Sequence, residues 1–124
     1  MDDKTKAGLL GDIEYFSAKM EADHTSMLFL PLAKAYVELT RFDEAANVLM
    51  KGLDANPDIA TAKTLLAQCY IGMGRVEEAK GLLTEIRVLD QNNYLAEKLL
   101  GKIYQSEGEN KKAIVSYKNA YFTA

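Results

Sequence analysis

Residues 26–59 read SMLFLPLAKAYVELTRFDEAANVLMKGLDANPDI, and this stretch decides the fold. Its first half places Phe29, Leu32, Ala33 and Tyr36 at i, i+3, i+4 and i+7, which is one face of a helix. Its second half repeats the spacing with Ala45, Val48, Leu49 and Gly52. Thr40-Arg41 breaks the two halves apart, and Asn56-Pro57-Asp58 closes the stretch with turn chemistry. The unit is therefore helix, tight turn, helix, loop.

The same unit recurs when residues 60–93 and 94–124 are laid beneath it without gaps. Tyr36, Tyr70 and Tyr104 coincide, as do Ala45, Ala79 and Ala113, and Leu32, Leu66 and Leu100. Small residues Ala33, Ala67 and Gly101 follow those leucines, and Leu49, Leu83 and Tyr117 form a fifth column. Five columns at one offset mark an internal repeat, the feature to be sought before any other. The breaks recur at Gly74-Arg75 and Gly108-Glu109, where glycine can take the left-handed conformation that ends a helix. Asp90-Gln91-Asn92-Asn93 is the second inter-unit loop.

These columns resemble the tetratricopeptide repeat, a 34-residue pattern of an aromatic, Leu-Gly, Tyr, Ala, Phe and Pro at fixed offsets. The first unit supplies Phe29, Leu32-Ala33, Tyr36, Ala45, Leu49 and Pro57. The second has Lys63 in place of the aromatic and Gln91 in place of the proline; the third has Glu97 for the aromatic and stops before the proline. Lys63 and Glu97 read as ordinary drift. The resemblance implies an all-α, right-handed α-α superhelix of about seven antiparallel helices. It implies three repeats at 26–59, 60–93 and 94–124, the last incomplete or uncapped, behind an N-terminal capping helix within 1–25.

Such units cannot bury their apolar stripes alone, so stability comes from stacking neighbours. Each tyrosine, if buried, removes about 150–250 Å² from water. On that basis Tyr70→Ala is expected to cost about 3–5 kcal/mol. Residues 5–22 read as a helix with Leu9, Ile13, Phe16 and Met20 at helical spacing, out of phase with the repeat because Asp12 and Lys19 occupy positions it would bury. The last helix, near 110–122, carries Ile114, Val115, Tyr121 and Phe122 with nothing after it to cover them. Either the chain is cut from a longer protein or this end packs on another copy, because solenoid ends need a polar outer face.

Composition narrows the function. Apolar residues make up 48% and charged residues 27%, and the net charge of −3 is spread along the chain. No basic stripe offers itself to phosphates, so nucleic acid is not the expected partner. No apolar run is long enough for a membrane span, and no secretory signal opens the chain. One cysteine, Cys69, forms no internal disulfide, and a cytoplasmic protein is the default reading. Catalytic signals are absent, so the chain reads as no enzyme and needs no cofactor or metal. His24 is the sole histidine and reads as a loop or cap residue. Cys69 reads as a small core residue. Gly72-Met73-Gly74 lacks the Lys-Ser/Thr that follows in a phosphate loop. Glu77-Glu78 opens a helix, where carboxylates favour the positive end of the dipole. Pro31 is tolerated if its helix starts late, near Leu28; otherwise it bends that helix beside Leu30.

In the family the first helices line a concave face where a peptide or partner helix lies. Carried over by position, that face holds Met27, Leu30, Lys34, Val37 and Glu38 from the first repeat. The second adds Thr61, Thr64, Gln68 and Ile71, and the third Leu95, Lys98, Lys102 and Gln105. Leu30, Val37 and Ile71 would be hydrophobic anchors outside the repeat core, and Lys98 and Lys102 would meet acidic groups of the partner. The carboxylate clamp of chaperone-binding members is not expected, because its positions hold Leu30, Lys34, Leu65, Leu95 and Leu99. The leading expectation is a protein-binding scaffold. The alternative is a module that self-associates through Ile114, Val115, Tyr121 and Phe122, or a fragment of a larger protein.

Overall fold

A computed structural model describes residues 2–23, 27–90 and 92–122. Among them the chain forms seven helices and no strand: α1 (Asp3–Ala22), α2 (Phe29–Glu38), α3 (Phe42–Ala55), α4 (Ala60–Gly72), α5 (Val76–Leu89), α6 (Tyr94–Ser106) and α7 (Asn110–Phe122). Each helix packs chiefly on its neighbours in sequence, and α2 also touches α4. His24 and its neighbours Thr25 and Ser26 lie outside the described residues, as does Gln91.

The helix ends follow local chemistry. Asp2 caps α1 by accepting from the Thr5 amide at 2.7 Å, which starts this helix earlier than its apolar stripe does. Asn93 caps α6 the same way, accepting from the Ala96 amide at 2.9 Å. Helix α2 begins at Phe29, so Pro31 falls in its first turn, where the missing N–H would have had no partner. The first helix of each pair ends on a left-handed residue, at Thr40 (φ 58°), Gly74 (φ 78°) and Gly108 (φ 77°). The next amide in each case, on Arg41, Arg75 and Glu109, returns to the carbonyl of Tyr36, Tyr70 and Tyr104 at 2.8–2.9 Å. Thr40 is a β-branched residue where its two counterparts are glycine, and such a backbone costs it about 1–2 kcal/mol. Thr40→Gly is therefore expected to stabilise the chain by about 1 kcal/mol, read as a higher urea midpoint at unchanged m-value.

The core runs through the stack as two clusters. The first joins Phe29, Ala33, Ala45, Ala46 and Leu49 to Ala62, Leu65, Leu66 and Cys69 of the next pair. The second joins Ala67, Ala79, Leu83 and Ile86 to Ala96, Leu100 and Ile103. Each cluster therefore spans two helix pairs, as a fold stabilised by stacking requires. The columns of Leu32/Leu66/Leu100 and Ala45/Ala79/Ala113 are buried throughout. Where Phe29 fills the first pair, Gly52 faces it: a Cβ there would lie 2.3–2.5 Å from three ring carbons. The second pair has Lys63 at the Phe29 position and the fully buried Ile86 at the Gly52 position, so the bulk comes from the second helix instead.

The tyrosine column departs from expectation. Tyr36, Tyr70 and Tyr104 are half-buried, and each ring carries a cation within about 6 Å of its centroid. The Arg41 guanidinium lies 5.1 Å from the Tyr36 centroid, and that of Arg75 lies 5.0 Å from the Tyr70 centroid. Both arginines are held by a carboxylate three residues on, Arg41 by Glu44 at 2.6 Å and Arg75 by Glu78 at 2.5 Å. Over Tyr104 of the third pair, Lys80 of α5 and Lys112 of α7 take the same place, at 5.8 and 5.7 Å. Tyr70 also donates to the Met50 sulfur at 3.9 Å. Because part of its ring stays in water, the expected cost of Tyr70→Ala falls to about 2–3 kcal/mol, measured by chemical denaturation.

Glu97 also departs from its reading as drift. Its carboxylate is buried and accepts from Arg87 Nε at 2.6 Å and Nη2 at 2.9 Å, while Nη2 also donates to Ser116 Oγ at 3.1 Å. This fork joins α5, α6 and α7, and its hydrogen bonds hold the Arg87 pKa above the ordinary value.

Candidate functional site

The first helices α2, α4 and α6, with the loop before α6, enclose a cavity of about 400 Å³. Lys34 contributes from α2; Thr61, Thr64, Leu65 and Gln68 from α4; Asp90, Asn92 and Asn93 from the loop; Tyr94 and Leu95 from α6. Its floor is set by Thr64 and Leu65, both buried. The Thr64 hydroxyl donates to the Ala60 carbonyl at 2.9 Å and accepts from Asn93 Nδ2 at 3.5 Å, so it is a fixed wall. The Gln68 side-chain amide takes no partner among the described residues. Lys34 and Asp90 add opposite charges, and the exposed Tyr94 ring adds an apolar platform beside Leu95.

The expected groove residues divide on this geometry. Lys34, Thr61, Thr64, Gln68 and Leu95 come together in the cavity. Leu30 and Val37 are half-buried and pack against the first core cluster, and Ile71 packs against the second. The repeat core thus claims the three side chains read as free anchors. Gln105 is engaged from α7, accepting from the Tyr117 hydroxyl at 3.0 Å. Met27, Glu38 and Lys102 are exposed and Lys98 is half-buried, and none of them lines the cavity. Asp90, Asn92, Asn93 and Tyr94 enter the site although the sequence marks them only as turn and helix start. The signal was present: an inter-repeat loop joins a second helix to the next first helix, so it sits at the mouth of the groove.

The chemistry-bearing residues elsewhere are quiet. Glu78 is bonded to Arg75 and Glu77 lies 3.4 Å from Lys80, which places both carboxylates in surface ion pairs. Among the described residues, no cluster of three or more His, Cys, Asp or Glu could hold a metal ion, and no helix is long and apolar enough to cross a membrane. Cys69 is buried in the first cluster, and burial pushes its thiol up to about 11. The nucleophilic thiolate is then scarce at neutral pH. Labelling of Cys69 by a thiol reagent at pH 7.5 is expected to run roughly 100-fold slower in the folded chain than in urea; equal rates would contradict this burial.

Residues 36–103 match the family model for the tetratricopeptide repeat, and the chain belongs to that family. The architecture is accordingly its right-handed α-α superhelix, and members of the family generally act as protein-interaction scaffolds. The crystal structure of MamA protein is similar with a TM-score of 0.82 and 25% identity, over 94% of this chain and 64% of that one. MamA from residue 41 to its end, from Desulfovibrio magneticus RS-1, gives 0.77 and 20%, over 90% and 66%. TTC0263, a thermophilic tetratricopeptide protein of Thermus thermophilus, gives 0.78 and 21%, over 87% and 61%. The chain thus spans less than two-thirds of the length of these relatives. No curated protein sequence matches it.

Proposed function

We propose that this chain is a scaffold that holds an extended segment of a partner protein in the groove over α4. The observation that carries this reading is the cavity where Lys34, Thr61, Gln68 and Leu95 meet the loop residues Asn92 and Asn93. Its chemistry suits a peptide main chain: side-chain amides offer both donor and acceptor to a strand of backbone, and Tyr94 with Leu95 supplies an apolar rest for a side chain. Lys34 favours an acidic residue of the partner at one wall, and Lys98 with Lys102 extends that preference further along. In this reading residues 26–59, 60–93 and 94–124 are the three repeats and 1–25 holds the cap. The partner is a protein rather than nucleic acid, no step of catalysis is involved, and the single buried thiol suits a reducing cytoplasm.

The test uses peptides selected from a random display library on the folded chain. Gln68→Ala combined with Lys34→Glu is expected to weaken the selected peptides at least tenfold, whereas Lys51→Glu, outside the cavity, leaves them unchanged. Selected peptides indifferent to the groove substitutions would refute the site. A second reading, self-association through α7, is favoured by one specific observation: Ile114, Val115, Tyr121 and Phe122 are 53%, 55%, 59% and 82% exposed.

A further inference from the structure

Helix α7 has apolar residues on two faces. Ala113, Ser116, Tyr117 and Ala120, at i, i+3, i+4 and i+7, turn inward, and Ala113, Ser116 and Ala120 are buried. Ile114, Val115, Tyr121 and Phe122 occupy the other side and are exposed. Lys111, Lys112 and Lys118 lie among them, so the outer surface of α7 is a mixed one in which four large apolar side chains stay in water. The repeat shows what the outer face is for. Ile114 corresponds to Ala46 and Lys80 two and one periods earlier, and Tyr121 to Leu53 and Arg87. Each of those residues holds the following pair. Ala46 is buried in the cluster that Ala62 and Leu65 of α4 complete, and Leu53 packs against it. Lys80 binds Glu107 at 2.8 Å, and Arg87 binds Glu97. Ile114 and Tyr121 therefore continue the surface by which each repeat receives the next, whereas the counterparts of Val115 (Asn47, Gly81) and of Phe122 (Asp54, Val88) are exposed in both earlier pairs.

The opposite end of the molecule offers a matching surface. Helix α1 has no buried residue, and Leu10 and Tyr15 are 43% and 56% exposed. Between α1, α2 and α3 lies a cleft of about 610 Å³, floored by Met20, Phe29, Leu32 and Val48 and rimmed by Glu21, Asp54 and Lys51. Charge is complementary as well. Residues 2–23 carry six carboxylates against Lys4, Lys6 and Lys19, a net of −3, whereas α7 carries Lys111, Lys112 and Lys118 and no carboxylate, a net of +3.

We infer that the outer face of α7 docks on the α1 end of a second copy of this chain, head to tail, with Ile114 and Tyr121 against the cleft between α1 and α3. The inference rests on the self-association reading of α7 and adds the identity of the surface it meets. Because the two surfaces differ, the contact is heterologous and propagates into a ring or a filament.

Two variants of the full 124-residue chain test it, each changing exposed residues only. One blocks the α7 face (Ile114→Asp with Tyr121→Asp), and the other blocks the α1 end (Leu10→Asp with Glu21→Lys). Circular dichroism confirms that both keep their helix content, and sedimentation velocity reads the assembly. Wild type is expected to form species larger than a dimer at high concentration. Each variant alone is expected to be monomeric, with its apparent dissociation constant raised roughly tenfold or more. Their equimolar mixture is expected to form a dimer and nothing larger, since each partner retains one working end. An α1-end variant that assembles like wild type would overturn the head-to-tail contact while leaving self-association through α7 standing. A mixture that stays monomeric would also overturn it. A wild type monomeric at millimolar concentration, or an α7 variant that still assembles, would remove both readings.

Discussion

Phe29→Ala is expected to lower stability by about 3–5 kcal/mol, because it empties the largest fully buried side chain of the first repeat. Phe29 is 1% exposed and stands over Gly52 of the antiparallel helix, which has no Cβ to obstruct the ring. The same contact predicts a reversal of sign at the partner. Gly52→Ala alone forces a methyl to within 2.5 Å of Phe29 Cγ, an atom too close to its own backbone to swing away. Overpacking of this kind costs about 1–3 kcal/mol, more than the roughly 1 kcal/mol that alanine gains over glycine in a helix. In the Phe29→Ala background the obstruction is gone and the helix preference remains, so Gly52→Ala should then stabilise. Urea denaturation of the two single variants and the double variant reads this directly. A Gly52→Ala change that destabilises equally in both backgrounds would contradict the proposed contact.

The second large effect belongs to Glu97→Ala. Its side chain is 4% exposed, whereas that of Arg87 is 35% exposed, so the acid is the deeper half of the fork. Removing it leaves the guanidinium facing protein with Ser116 as its remaining side-chain partner. Breaking a buried pair from one side costs about 3–5 kcal/mol, and the partial exposure of Arg87 places this case near the lower figure. Replacing both residues, as Arg87→Met with Glu97→Leu, removes the stranded charge together with its partner. The double variant is therefore expected to be more stable than Glu97→Ala. If Glu97→Ala denatures within about 0.5 kcal/mol of wild type, the fork does not fasten the third repeat to the second.

These two contacts mark where the sequence could and could not be read. The repeat itself was legible because it is periodic: Leu32, Leu66 and Leu100 are buried alike, and Thr40, Gly74 and Gly108 end their helices in one way. Contacts that compensate between columns were not. Glu97 in an aromatic column resembles drift until Arg87 of the preceding repeat and Ser116 of the following helix are seen beside it. The alignment did hold a signal, since a change of type at one column was met by an arginine in another. The tyrosines were overestimated as core for a related reason: Arg41 and Arg75 lie in a turn, and only the fold shows them covering Tyr36 and Tyr70.

The groove was half legible. Position alone brings Lys34, Thr61, Thr64, Gln68 and Leu95 to one cavity wall, because the first helices present the same face in every repeat. It misjudged Leu30, Val37 and Ile71, whose apolar character reflects packing against the core clusters. An apolar residue on a first helix can serve the neighbouring repeat or a ligand, and spacing does not separate the two. The residues Asp90, Asn92 and Asn93 are hidden because a loop has no period from which to infer where its side chains fall.

The proposed scaffold holds its partner peptide in the groove over α4. Amide chemical-shift mapping with a library-selected peptide tests it most directly. The largest perturbations are expected to cluster at Lys34, Thr61, Gln68, Asn92 and Leu95 and to fade along α3 and α5. Perturbations concentrated on α3, α5 or α7, with those five amides unmoved, would contradict it.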